Sequence, residues 1–146
     1  MSDDEETKSK IKTIKPAEVK INDGMDVIQA RAKEVDAFLA KSNGKDAVLA
    51  AINDPPLGSK SEEAKTLNFK TVLRALTTVK EAEVPAVIAE VQKKYGNVGM
   101  DNLMKYVCRG LAEAESCGAL LKWHGAIVEH SGMGPIVRVM TDRRGV

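Results

Sequence analysis

The sequence predicts an all-α chain, on three observations. Apolar residues recur at steps of three and four through most of its length. Phe38, Phe69, Tyr95, Tyr106 and Trp123 are its aromatic residues and alanine is abundant, a balance that suits closely approaching helices better than a sheet rich in aromatic and β-branched pairs. Glycine and proline fall between the periodic stretches, where helices stop and start. The expected architecture is a compact curved stack of about seven short antiparallel helices, α-α superhelix-like, over residues 23–146. An N-terminal arm over residues 1–22 precedes it, extended or disordered when free.

Each element has its own reason. Asn22 or Asp23 is placed to cap a first helix whose apolar residues are Met25, Ile28, Ala32, Val35 and Leu39, and Ser42-Asn43-Gly44 ends it. A second helix over 45–53 is closed by Asp54-Pro55-Pro56, because proline cannot donate a hydrogen bond and restricts the residue before it. The two form an antiparallel hairpin. Residues 62–80 carry Ala64, Leu67, Val72, Leu76 and Val79, with Glu62 and Glu63 suited to the first turn of a third helix. A fourth over 85–95 starts on proline, buries Val87, Ile88 and Val91, and ends at Gly96-Asn97.

The remaining fifty residues hold three more helices. Met100, Leu103, Met104, Val107 and Leu111 share one face, Leu120, Leu121, Ile127 and Val128 a second, and Ile136, Val137, Val139 and Met140 a third. Gly134-Pro135 starts the last helix, over 136–141. A faint repeat, Ala47-Val48-Leu49, Ala86-Val87-Ile88 and Ala119-Leu120-Leu121, recurs at unequal spacings and lacks the tetratricopeptide signature.

Composition removes several function classes. At 146 residues and 43% hydrophobic, the chain suits one domain with one core. Its net charge of +1 gives no one-signed field to draw in nucleic acid or an anionic membrane. The acidic start Met1-Ser2-Asp3-Asp4-Glu5-Glu6 is unlike a signal peptide, and no apolar run is long enough to span a bilayer, so a cytoplasmic, soluble protein is expected. Within the arm, Lys8, Lys10, Lys12, Lys15 and Lys20 alternate with Ile11, Ile14, Val19 and Ile21. Those four apolar residues are too sparse for a core, which leaves two readings: a disordered, solvated tail, or an arm that lies extended on a partner with them as anchors and orders only when bound.

Catalytic and cofactor chemistry finds little support. His124 and His130, six residues apart, point to different sides of a helix and cannot share a metal. The spacing of Cys108 and Cys117 fits neither a zinc site nor a redox pair, which leaves reduced core thiols. Gly96-Asn97-Val98-Gly99 and Gly132-Met133-Gly134-Pro135 follow no strand and read as helix terminators rather than phosphate loops. No enzyme, cofactor or metal is expected. Arg138 either pairs along its own helix with Asp142 or, with Arg143 and Arg144, meets acidic groups on a neighbouring subunit. Trp123 is either a core plug or an interface anchor.

The wording of the last third adds a further pointer. Asp101-Asn102-Leu103-Met104-Lys105-Tyr106-Val107, then Leu120-Leu121-Lys122-Trp123-His124, then Gly134-Pro135-Ile136-Val137-Arg138-Val139-Met140-Thr141 stand in order, preceded by Glu34-Val35-Asp36, Leu39, the run Ala47-Val48-Leu49-Ala50-Ala51-Ile52 and Asp54-Pro55-Pro56-Leu57. Across residues 34–146 this resembles the subunit 5 family of the actin-related protein 2/3 complex. The resemblance implies a non-catalytic helical subunit that helps hold together a seven-subunit nucleator of branched actin filaments. It implies docking of the body on subunit 4. A charged leading extension is implied to reach the β-propeller subunit and the actin-related protein 2 subunit. The alternative from the residues is a freestanding helical-repeat adaptor that binds peptide segments, and a cysteine hydrolase stands third.

Overall fold

The computed structural model describes residues 24–146 and is all-helical, with no strand among them. Its α-helices are α1 (Met25–Ala40), α2 (Gly44–Ala51), α3 (Glu62–Thr78), α4 (Val84–Ala112), α5 (Cys117–Ser131) and α6 (Gly134–Thr141), with a single 3-10 turn, Glu81–Glu83, before α4. Side chains fix two of the starts. The Asn43 Oδ1 accepts from the Asp46 N–H at 3.2 Å at the head of α2, and the Ser61 Oγ accepts from the Ala64 N–H at 3.3 Å at the head of α3. The caps expected at Asn22 and Asp23, and the arm anchors Ile11, Ile14, Val19 and Ile21, lie outside the described residues.

The break expected between the fourth and fifth helices stands inside α4, at one residue. Gly96 leaves the helical conformation, with φ 63° and ψ −149°, and the chain resumes its helix at once. The expected fourth and fifth helices are therefore two arms of one kinked element. That backbone conformation belongs to glycine, because a Cβ would crowd the flanking peptide groups.

Helices pack mainly on those next and next but one in the chain: α1 on α2 and α3, α2 on α3 and α4, α3 on α4 and α5, and α4 on α5 and α6. The most extensive contact is α4 on α5. Gly110 permits it, since a Cβ there would collide with Leu120 Cδ1. Phe69, Tyr106 and Trp123 are the largest buried side chains, set among Val72, Leu76, Ile88, Val91, Met100, Leu103, Met104, Leu120 and Ile127. Several expected core positions face water instead: Met25, Leu121, Val137 and Met140 are exposed. On α5 the inward row is Leu120, Trp123 and Ile127, spaced three and four, which turns Leu121 outward.

A polar clasp runs through this apolar interior. Arg31, on the buried side of α1 between Ile28 and Val35, donates from Nη1 to Asn68 Oδ1 and from Nη2 to the Asp54 carbonyl, both at 2.9 Å. Asn68 Nδ2 in turn donates to the Tyr106 hydroxyl, so one chain of hydrogen bonds ties α1, α3 and α4. Burial pushes the Tyr106 phenol well above its ordinary value and outweighs the opposing pull of Arg31 and the Asn68 bond. Buried polar groups are tolerable only when satisfied, and each of these is.

Candidate functional site

The residues expected to bind partners separate into a buried one and an exposed group. Trp123 is 1% exposed and its indole N–H donates to the Leu76 carbonyl at 3.0 Å, so it occupies the core-plug role. Its edge forms part of the wall of an open cavity of about 360 Å³ with Leu76, Val79, Val84 and Ala119, beside the Lys122–Glu81 ion pair.

Arg138, Arg143 and Arg144 lie together on α6 and the segment after it, all exposed. Arg138 does not pair along its helix with Asp142. Its Nε–H lies 2.8 Å from both carboxylate oxygens of Asp101 on α4. Asp142 instead accepts from Lys105 Nζ at 2.6 Å. Arg109 Nη1 donates to the Val146 main-chain oxygen at 2.7 Å, and the Val146 side chain is buried.

These three contacts form a ladder. Asp101, Lys105 and Arg109 are four residues apart, hence on one face of α4, and their partners at 138, 142 and 146 advance by the same step. The second arm of α4 and the α6 segment therefore run in the same direction. Arg109 is further held by Glu113 Oε1 at 2.9 Å and stands over the Phe69 ring at 4.6 Å from its centroid. The hydrogen bond from Lys105, with that from the Arg144 N–H, pulls the Asp142 carboxyl down to about 2 from an ordinary 3.8. The ladder holds α6 to the body at a fixed rotation and leaves Met133, Val137 and Met140 outward.

Other reactive side chains are dispersed. Cys108 and Cys117 are free and half-buried, and burial pushes the Cys108 thiol up, away from thiolate chemistry. Among the described residues no three His, Cys, Asp or Glu side chains converge as metal ligands would, and no helix is long and apolar enough to cross a membrane.

Sequence reasoning missed Asp101, Lys105 and Arg109 as the rungs that orient α6. Their spacing of four, matched by 138, 142 and 146, was the available signal.

Comparison with known proteins adds a direct finding. The family model described as ARP2/3 complex 16 kDa subunit (p16-Arc) matches residues 2–146. The chain is 34% identical over 119 residues to the actin-related protein 2/3 complex subunit 5 of Dictyostelium discoideum, covering 82% of this chain and 83% of that one. It is 33% identical over 115 residues to subunit 5-C of Xenopus laevis, covering 77% and 74%. To the subunit 5-like protein of Mus musculus it is 31% identical over 115 residues, covering 77% and 72%.

Proposed function

The chain belongs to the ARP2/3 complex 16 kDa subunit (p16-Arc) family, and we propose that it works there by holding neighbouring subunits together so that the complex can nucleate branched actin filaments. It is a structural, non-catalytic subunit, and its partners are other subunits of that complex. The carrying observation is the family match across residues 2–146, which takes in the leading segment as well as the helical body. The adaptor reading is not favoured beside it.

The division of labour we infer has two parts. Residues 23–146 act as a helical body that docks on subunit 4 through exposed side chains, with Arg138, Arg143 and Arg144 bordering the contact. Residues 1–22 act as an arm toward the β-propeller subunit and actin-related protein 2, with Ile11, Ile14, Val19 and Ile21 as anchors. A second contact joined covalently to the first adds retention through raised effective concentration without a large rigid interface. The site of action is the cytoplasmic actin cytoskeleton.

Deleting residues 1–22 tests the division. In complex co-expressed with the other subunits, the truncated chain is expected to keep the helical circular dichroism of the whole chain and to co-sediment with the assembly, while actin-related protein 2 is lost on dilution. Loss of helical signal would place the body's boundary wrongly. Full retention of actin-related protein 2 would remove the arm's role.

A further inference from the structure

Asn43, in the turn between α1 and α2, is the only asparagine of the chain with glycine after it. That pairing carries its own chemistry. The nitrogen of the following residue can reach the side-chain amide by closing a five-membered ring, and glycine, with no Cβ, neither shields that nitrogen nor restricts the rotation that brings it round. Glycine also suits the packing at 44, since a Cβ there would stand 3.0 Å from Val79 Cγ2, tighter than an ordinary contact.

The fold holds the pair apart. Asn43 Oδ1 accepts from the Asp46 N–H, and Nδ2 donates to Asp46 Oδ2. Its main chain is fixed on both sides, the N–H donating to the Phe38 carbonyl at 3.0 Å and the carbonyl accepting from the Ala47 N–H at 3.2 Å. With ψ at 74°, the Gly44 nitrogen lies on the far side of the Cα–C bond from the Asn43 side chain. Ring closure therefore needs about half a turn about that bond, which carries the planar peptide with it and draws the carbonyl off Ala47.

We propose that Asn43 is a covalent modification site, a spontaneous deamidation gated by opening of the α2 cap. When the cap opens, the Gly44 nitrogen gives its proton to solvent and attacks Asn43 Cγ. The N–Cγ bond forms, the Cγ–Nδ2 bond breaks, and the side-chain nitrogen leaves as ammonia. Water then opens the cyclic imide at either carbonyl, giving aspartate or isoaspartate. Neither product restores the cap. Aspartate puts a second carboxylate where the amide donated to Asp46, and isoaspartate adds a methylene to the backbone between the bonds to Phe38 and Ala47. The α1–α2 turn thus loosens with the age of the chain, whatever the chain is bound to.

The test follows the full chain at neutral pH by peptide mass mapping. The mass gain of amide-to-acid exchange is expected at Asn43 and not at Asn53, Asn68, Asn97 or Asn102, and it should run about tenfold faster in guanidinium chloride, where the cap is gone. Asp46→Ala, which removes the carboxylate that holds Nδ2, is expected to speed it about threefold, with circular dichroism reporting that the helices remain. Asn43→Ser keeps a capping oxygen but has no amide, so the gain should vanish. The deamidated fraction, separated by ion exchange, should exchange its α2 amides about tenfold faster than the unmodified chain. A gain in denaturant with none in the folded chain would overturn the site. Equal rates in the two would overturn the gate, and unchanged α2 exchange would overturn the loosening.

Discussion

The clasp formed by Arg31, Asn68 and Tyr106 and the ladder between α4 and α6 are built from similar groups, with guanidinium donors in each. They differ in water. Asn68 and Tyr106 are 1% exposed, whereas the Arg138 side chain is 45% exposed beside Asp101. In the clasp, a lost partner leaves a buried donor with nothing to replace it, so removal costs the full desolvation of that group. At the ladder's outer rung, Arg138 and Asp101, water replaces a lost partner, and what remains is orientation. Hydrogen bonds of similar length thus serve cohesion in the clasp and aim at the outer rung.

The largest effect that would break this contrast comes from Asn68→Ala, which takes one hydrogen-bond partner from the Arg31 guanidinium and one from the Tyr106 hydroxyl. Destabilisation of about 3 kcal/mol is expected, lowering Tm by on the order of 10 °C in a thermal melt. A shift of only a degree or two would mean that water reaches the clasp.

An intermediate effect concerns the ladder's inner rung. Because Asp142 is held at about 2, below its ordinary 3.8, its contribution is full above pH 4 and is lost as pH falls through the folded value. Amide exchange in α6, taken relative to its intrinsic rate at each pH, should therefore quicken between pH 4 and pH 2 in the natural chain. In Asp142→Asn it should be uniformly quicker, with no such step. A step that persisted in the variant would assign it to another carboxylate.

Arg138→Ala sharpens the comparison from the small end. Loss of an exposed pair is expected to cost about 0.5 kcal/mol by chemical denaturation, with the global melt almost unmoved. A loss as large as that of Asn68→Ala would show that the outer rung carries cohesion after all.

Much of the fold was legible in the sequence, because helix periodicity and punctuation are local properties. Glu62 and Glu63 in the first turn of α3, the break at Gly96, and the buried faces of Val87, Ile88 and Val91 follow from neighbours a few residues away. What escaped depends on distant partners. Arg31 occupies a place on the inward side of α1 that apolar patterning assigns to Ala32, and only Asn68 and the Asp54 carbonyl make that position tolerable. Leu121, Val137 and Met140 satisfy apolar periodicity yet face outward, since which side of a short helix is covered is decided by the helix beneath it. Arg138 has an acid four residues on, and local reasoning pairs them. The fold supplies Asp101 and gives Asp142 to Lys105 instead.

The common step of four on the two sides of the ladder also limits where the chain can change in length. One residue inserted between positions 101 and 109 would turn everything beyond it by about 100° and put the later rungs out of phase. An insertion among residues 54–61, which lie between α2 and α3, would leave every rung in place. Variation in length among chains of this design should collect in that connection and spare the stretch that carries the rungs.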